Sequence, residues 1–331
     1  MIEPQSPHHN RPLFIVGSGR SGTTLLYHML LVSGDFPIYR SETRILPARH
    51  HYGDFDDPAS RERFLSDFLR SRQFARSGLT PEQVTEAARD GGDYAGFLVE
   101  FMDRMATAQG KHRWVEKTPA HIEHMTRLAE RLPASRFLHI VRDGRDVALS
   151  IRKLGWVPRL GGDPFRQLLW AGERWAYLLD IARRQARGFP DRYLEIRYED
   201  LILDPDRVLG EVAEFADVEL DAEAVRDSEL GSLGKPNTAF GEAASSSPAN
   251  AVYRWKKHPA RIEIDRLTLA LGPTLGRFGY EVPPTGLGGV GRASIRLSGW
   301  LFERAIRVKE WLRWKTPLGR RTGSPLEIGL D

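Results

Sequence analysis

The residues with the most chemistry to offer lie near the start of the chain: Gly17-Ser18-Gly19-Arg20-Ser21-Gly22-Thr23-Thr24. They follow Leu13-Phe14-Ile15-Val16, a short apolar run that reads as a buried strand. They precede Leu25, Leu26, Met29 and Leu30, which share one face of a helix over about 22–32. A glycine-rich turn between strand and helix lets backbone N–H groups point inward, and the helix N-terminus adds partial positive charge, so the segment suits an anion. Thr23 and Thr24 add hydroxyl donors. The spacing is that of a phosphate-binding loop, yet Thr23 stands where a nucleotide triphosphatase carries Lys. Arg20 brings the positive charge from inside the loop instead. Phosphate binding fits these residues better than ATP hydrolysis; a purely structural glycine turn is the alternative.

Arg20-Ser21-Gly22-Thr23-Thr24 resembles the 5′-phosphosulfate loop of the sulfotransferases that use 3′-phosphoadenosine 5′-phosphosulfate (PAPS), and further segments resemble that family's motifs in the same order. Phe137-Leu138-His139-Ile140-Val141-Arg142, followed by Ser150 eight residues after the Arg, is similar to its 3′-phosphate motif. Arg142 can fork two anion oxygens, and Ser150, two turns along a helix, can add a hydroxyl. Asp143 and Asp146 then cap and salt-bridge the first helical turn. Arg197-Tyr198-Glu199-Asp200-Leu201 resembles a family Tyr-Glu-x-Leu whose Tyr lies near the adenine; a helix-entry Tyr packed in the core is the other reading of Tyr198.

Transfer of a sulfuryl group to a hydroxyl needs a base for the acceptor proton and cations for the charge on the transferring and leaving groups. Ser41-Glu42-Thr43-Arg44-Ile45-Leu46-Pro47 resembles a motif of protein-tyrosine sulfotransferases in which the Glu is the base, which makes Glu42 the candidate; a solvated loop carboxylate is its alternative. Glu116-Lys117-Thr118-Pro119 implies that Lys117 stabilises the transition state and leaving group. Cytosolic small-molecule sulfotransferases carry a basic His where this chain has Pro119, so that mechanism is disfavoured and His121 is the runner-up base. Ser228, Lys235 and Asn237 repeat a family spacing in which the Ser holds the sulfate and the segment closes over the cofactor, with Ser232 as a fallback for Ser228. Arg254, in Tyr253-Arg254-Trp255, stands for a family Lys. The resemblance implies PAPS as donor, 3′-phosphoadenosine 5′-phosphate (PAP) as product and no metal. It places Arg20 in both catalysis and cofactor binding, beside Ser21, Gly22, Thr23 and Thr24. A kinase-like phosphotransferase and an inactive nucleotide-binding module are the competing readings.

The elements that must position these groups follow from the patterning. Strands are expected at 13–16, 113–115, 136–141 and 193–196, with helices around 58–76, 81–90, 94–108, 164–187 and 205–216 and one started by Pro119. Residues 33–57 read as a polar stretch and 231–251, rich in Gly, Ser, Ala and Asn, as a mobile loop. Strands alternating with helices imply an α/β fold: a P-loop-type parallel β-sheet flanked by helices on both faces, with helical insertions. The division expected is a leader at 1–11, a sulfotransferase domain at 12–285 and a basic amphipathic extension at 286–331.

The 331 residues include no cysteine, which excludes disulfides, zinc–thiolate sites and cysteine nucleophiles. That suits a cytoplasmic protein, as does a start without an apolar signal region. A formal charge of +4 fits a polyanionic cofactor and is too weak to argue for nucleic acid. The acceptor implied is a hydroxyl on a sugar, lipid, small molecule or tyrosine. Residues 292–321 carry nine Lys or Arg against two Glu, interleaved with Trp300, Trp311, Trp314 and aliphatic residues. That is the composition of a helix lying on a membrane surface; a helix docked on its own domain, or a homodimer contact, is the alternative.

Overall fold

The computed structural model describes residues 11–157, 165–228, 252–316, 324, 326 and 327. Leu13–Gly17 (β1) is buried at all five positions, as a strand covered on both faces must be. It pairs in parallel with Val115–Lys117 (β2) on one side and Arg136–Val141 (β3) on the other. β3 in turn pairs in parallel with Tyr193–Arg197 (β4), giving the order β2-β1-β3-β4. Alternate residues of β1 serve opposite cores, as the two-residue strand period dictates. Phe14 and Val16 join one apolar cluster, Leu13 and Ile15 the other.

Thr23–Leu31 (α1) follows β1. Ile45–Tyr52 (α2), Pro58–Phe68 (α3), Arg72–Ala75 (α4), Pro81–Gly91 (α5) and Tyr94–Ala108 (α6) fill the connection to β2. α5 opens on a capping box, with Thr80 accepting from the Gln83 amide and Pro81 in the first turn, which is why its start was readable. Met125–Arg131 (α7) leads to β3, and Gly144–Lys153 (α8) and Phe165–Ala186 (α9) lead on to β4. Tyr198–Leu203 (α10), Pro205–Ala216 (α11), Ala222–Asp227 (α12), Arg261–Arg277 (α13) and Gly289–Lys315 (α14) complete the described helices. A third apolar cluster joins α8, α9, α13 and Ile295 of α14.

Four expectations are corrected. The second strand begins at Val115, because Leu13 pairs with Val115 and Ile15 with Lys117, while the Arg113 guanidinium turns away to the carbonyls of Ala216 and Asp217. The polar stretch contains α2, whose three basic residues at 49–51 hid its apolar face. The helix expected over 58–76 breaks between α3 and α4, where Ser71 accepts from the Phe74 amide as a new cap. Pro119 starts a 3₁₀ turn over Pro119–Glu123. The loop expected at 231–251 lies outside the described residues.

Candidate active site

The glycine loop joins β1 to α1, and its backbone is set by close packing. Gly22 is the N-cap of α1 at φ 99°, and a Cβ there would lie 2.5 Å from Tyr198 Cδ2. Only glycine meets both conditions. Arg20 also has a positive φ, 72°, which swings its side chain out of the loop to donate from Nε to Ser150 Oγ at 3.0 Å. Ser21 is wholly buried, and its Oγ has no hydrogen-bond partner among the described residues. A buried hydroxyl without a partner in a glycine loop is a donor that could serve an acceptor bound there.

Beside the loop is a cavity of about 300 Å³ lined by Arg20, Arg142, Ser150, Lys153, Arg254 and Lys257, among others. Four residues predicted from sequence therefore meet at one place: Arg20, Arg142, Ser150 and Arg254. Arg142 is 6% exposed. It donates to the Arg20 carbonyl at 3.3 Å, and its guanidinium lies 4.4 Å from the centre of the Tyr198 ring. Burial, and then the charge of Arg142, lower the Arg20 pKa. Cations held this close in a half-closed pocket suit an anion between them.

The acidic residues here are structural. Asp143 caps α8 by accepting from the Arg145 amide and binds the Arg145 guanidinium at 2.7 Å. Asp146 accepts from the amides of Arg254 and Trp255 at 3.2 and 2.7 Å, so it fastens the Arg254 segment to the cavity wall. Burial raises its pKa, with Arg142 opposing. Glu199 accepts from the Asp143 amide and the Tyr280 hydroxyl, both at 3.0 Å; burial pushes its carboxyl up to about 7. Tyr198 is 1% exposed and packs beneath Gly22 and Arg142, where it supports the loop.

Glu42 and Lys117 meet at the end of β2. Glu42 Oε1 lies 3.3 Å from Lys117 Nζ, and Glu42 Oε2 lies 3.1 Å from Arg44 Nε, with the Glu42 side chain 28% exposed. Arg44 adopts φ 50° at the N-cap of α2 and reaches a second carboxylate, Glu327, at 3.1 Å. Below this surface, Glu116 is buried and accepts from Thr43 Oγ1 at 2.9 Å and from the Thr118 hydroxyl. Burial alone would raise the Glu116 pKa, but His121 and these hydroxyls lower it on balance. That network ties residues 43–44 to the end of β2. His121 is fully buried, with Nδ1 2.8 Å from Glu116 Oε2. Closed off from any acceptor, it supports Glu116.

Thr23 and Thr24 open α1. Ser228 is half-buried at the end of α12; Lys235, Asn237 and Ser232 lie outside the described residues. Sequence reasoning missed Asp146 as the anchor of 254–255. It also missed Lys153 and Lys257 in the cavity and Trp156, whose ring centre lies 5.8 Å from the Arg20 guanidinium. Glu327 was missed too. Lys153 follows Ser150 by nearly one helical turn, so that spacing alone could have drawn attention to it.

A parallel α/β sheet with a glycine loop after its first strand, and a basic cavity at the carboxyl ends of β1 and β3, defines the class of α/β proteins whose ligand site lies at the strand ends. A family model described as the sulfotransferase family matches residues 12–222. The chain belongs to that family. It is 27% identical over 281 residues to a protein-tyrosine sulfotransferase of Drosophila melanogaster, covering 81% of this chain and 51% of that protein. It is 24% identical over 277 residues to protein-tyrosine sulfotransferase 1 of Danio rerio, covering 81% of this chain and 72% of that one. The chain thus spans about half of the fruit-fly protein. Among solved structures, the sulfotransferase domain from the curacin biosynthetic pathway shares the fold, with a TM-score of 0.51 at 20% identity over 83% of this chain and 99% of that one.

Proposed function

We propose that this protein transfers a sulfuryl group from PAPS to an acceptor hydroxyl. The observation that carries the reading is the convergence of Arg20, Arg142, Ser150 and Arg254 on one cavity beside the glycine loop. Membership of the sulfotransferase family supports it. The residues fit the donor: the loop amides, Ser21, Thr23 and Thr24 would hold its 5′-phosphosulfate, and Arg142 and Ser150 its 3′-phosphate. Tyr198 would keep the loop and Arg142 in register from below.

When bound, PAPS supplies an activated sulfuryl group: a bond forms from the acceptor oxygen to sulfur as the bond from sulfur to the phosphate oxygen breaks. Glu42 takes the proton of the attacking hydroxyl. Its partial exposure leaves it within reach of an acceptor. Lys117 meets negative charge on the transferring and leaving oxygens, a role best filled by a cation already fixed in place. Arg20, expected there too, is turned to Ser150 and adds its charge on the 3′-phosphate side. Thr43, Thr118 and Glu116 hold the Glu42 and Lys117 segments together. The acceptor carries a hydroxyl, and the names of the relatives make a tyrosyl peptide the first to try.

Calorimetry with PAP, ATP and AMP in the absence of magnesium tests the donor assignment. Micromolar binding of PAP that requires its 3′-phosphate is the expected result. Preference for Mg·ATP, or no binding, would overturn the assignment.

Glu327 supplies a second expectation. It holds the far side of Arg44 while Arg44 holds Glu42, so it acts as a positioning residue. Its partial exposure limits the worth of the pair, so Glu327→Gln should slow transfer about two- to fivefold and leave PAP affinity unchanged. The slowing should vanish in an Arg44→Ala background, because the link then no longer exists. An equal slowing in both backgrounds would show that Glu327 does not act through Arg44.

A further inference from the structure

α14 has two apolar faces, and the fold covers one of them. Ile295 and Ile306 are 5% and 2% exposed, turned toward the domain. Near them Glu310 is 3% exposed and pairs with Arg174 at 2.9 Å. Half a turn away, Val290, Leu297, Trp300, Leu301, Val308 and Trp311 are each between 50% and 88% exposed. At 100° per residue these six fall within one stripe, and it runs about 30 Å along the helix. A large apolar stripe on the outside of a helix already docked by its other side adds nothing to the domain core. It marks a surface for something else.

The charges say what. Gly289–Lys315 carries seven Lys or Arg and two Glu. Both Glu are engaged within the chain: Glu310 by Arg174, and Glu303 by Arg307 at 2.8 Å. Arg304 sits within the stripe, its guanidinium 5.0 Å from the centre of the Trp300 ring, and Arg296 is exposed beside the stripe. Lys309, exposed on the other flank, reaches back to within 5.3 Å of the centre of the Trp170 ring on α9. Aliphatic side chains in the middle, tryptophans beside them and long cationic side chains among and next to them match the boundary between acyl chains and anionic headgroups. A second copy fits less well, since two such faces would oppose cation to cation. No described helix is long and apolar enough to cross a membrane, so this helix would lie on the surface.

We infer that the outward face of α14 binds an anionic lipid surface. The test is co-sedimentation of the full chain with vesicles of 70:30 phosphatidylcholine and phosphatidylserine, and with vesicles of phosphatidylcholine alone. Binding to the mixed vesicles is expected. It should weaken as salt rises from about 0.1 to about 0.5 M, because the Debye length falls. Leu297→Asp with Leu301→Asp should weaken binding at least about tenfold, since both side chains leave the apolar layer. These positions are exposed, so the double variant should keep the wild-type melting temperature, which calorimetry checks. Arg304→Glu should weaken binding to the mixed vesicles alone. No binding to the mixed vesicles, or equal binding to both kinds with no effect of the double variant, would overturn the inference. So would a dimer in light scattering that the double variant dissociates, which would give the face to a second copy.

Discussion

Glu42→Gln is expected to bind PAP as tightly as the wild type and to transfer the sulfuryl group about 10²–10⁴ times more slowly, the usual contribution of a positioned base. Glutamine keeps the shape and one acceptor oxygen, so one of Lys117 and Arg44, which bind different oxygens of the wild-type carboxylate at 3.3 and 3.1 Å, retains its partner. What is lost is the ability to accept a proton. Single-turnover assays with PAPS and a tyrosyl peptide, or whichever hydroxyl acceptor proves competent, would measure the chemical step directly. Unchanged turnover would remove Glu42 from the mechanism. A matching loss of PAP affinity would instead place Glu42 in donor binding. Because His121 is fully buried against Glu116, a His121 variant should be destabilised before it tells anything about proton transfer.

Arg142→Ala should lower PAP affinity by about ten- to a hundredfold, the range for hydrogen bonds to a charged group, and leave AMP affinity nearly unchanged. Selectivity between the two nucleotides is the informative quantity, because AMP lacks the 3′-phosphate that Arg142 is proposed to hold. Arg142 also stacks on Tyr198 and donates to the Arg20 carbonyl, so the variant needs a check that the loop survives. Equal losses for PAP and AMP would mean loop collapse; no loss for either would sink the 3′-phosphate assignment. Arg142→Lys keeps the charge without the planar fork, so it should recover only part of the affinity.

Much of this was legible because phosphate-loop chemistry is written in neighbouring residues. Gly17 to Thr24, the strand before them and the helix after them are contiguous, and the turn needs glycine at Gly22 for a local backbone reason, its positive φ. The apolar runs at 13–16 and at 137–141, the second broken only by His139, were dense enough in strand-forming residues that β1 and β3 were readable. The second strand was read two residues early because Glu116, buried within it, looks polar from the sequence alone. Helix α2 was missed since its basic residues break the apolar period.

Short segments of sequence were enough for the family and the α/β class, and they singled out the residues proposed to hold a phosphosulfate, because each depends on backbone and chemistry that are local. Tertiary structure decided how those segments act together. It packed Tyr198 in the core under Gly22 and Arg142, and it used Asp146 to carry the Arg254 segment, 109 residues away at Trp255, to the cavity wall. It brought Glu327 to Arg44 beside Glu42, and it chose which side of α14 faces the core. The physical reason is common to all of these. Each is a contact between segments distant in the chain, and the order β2-β1-β3-β4, with the helices packed on its two faces, determines which distant residues become neighbours.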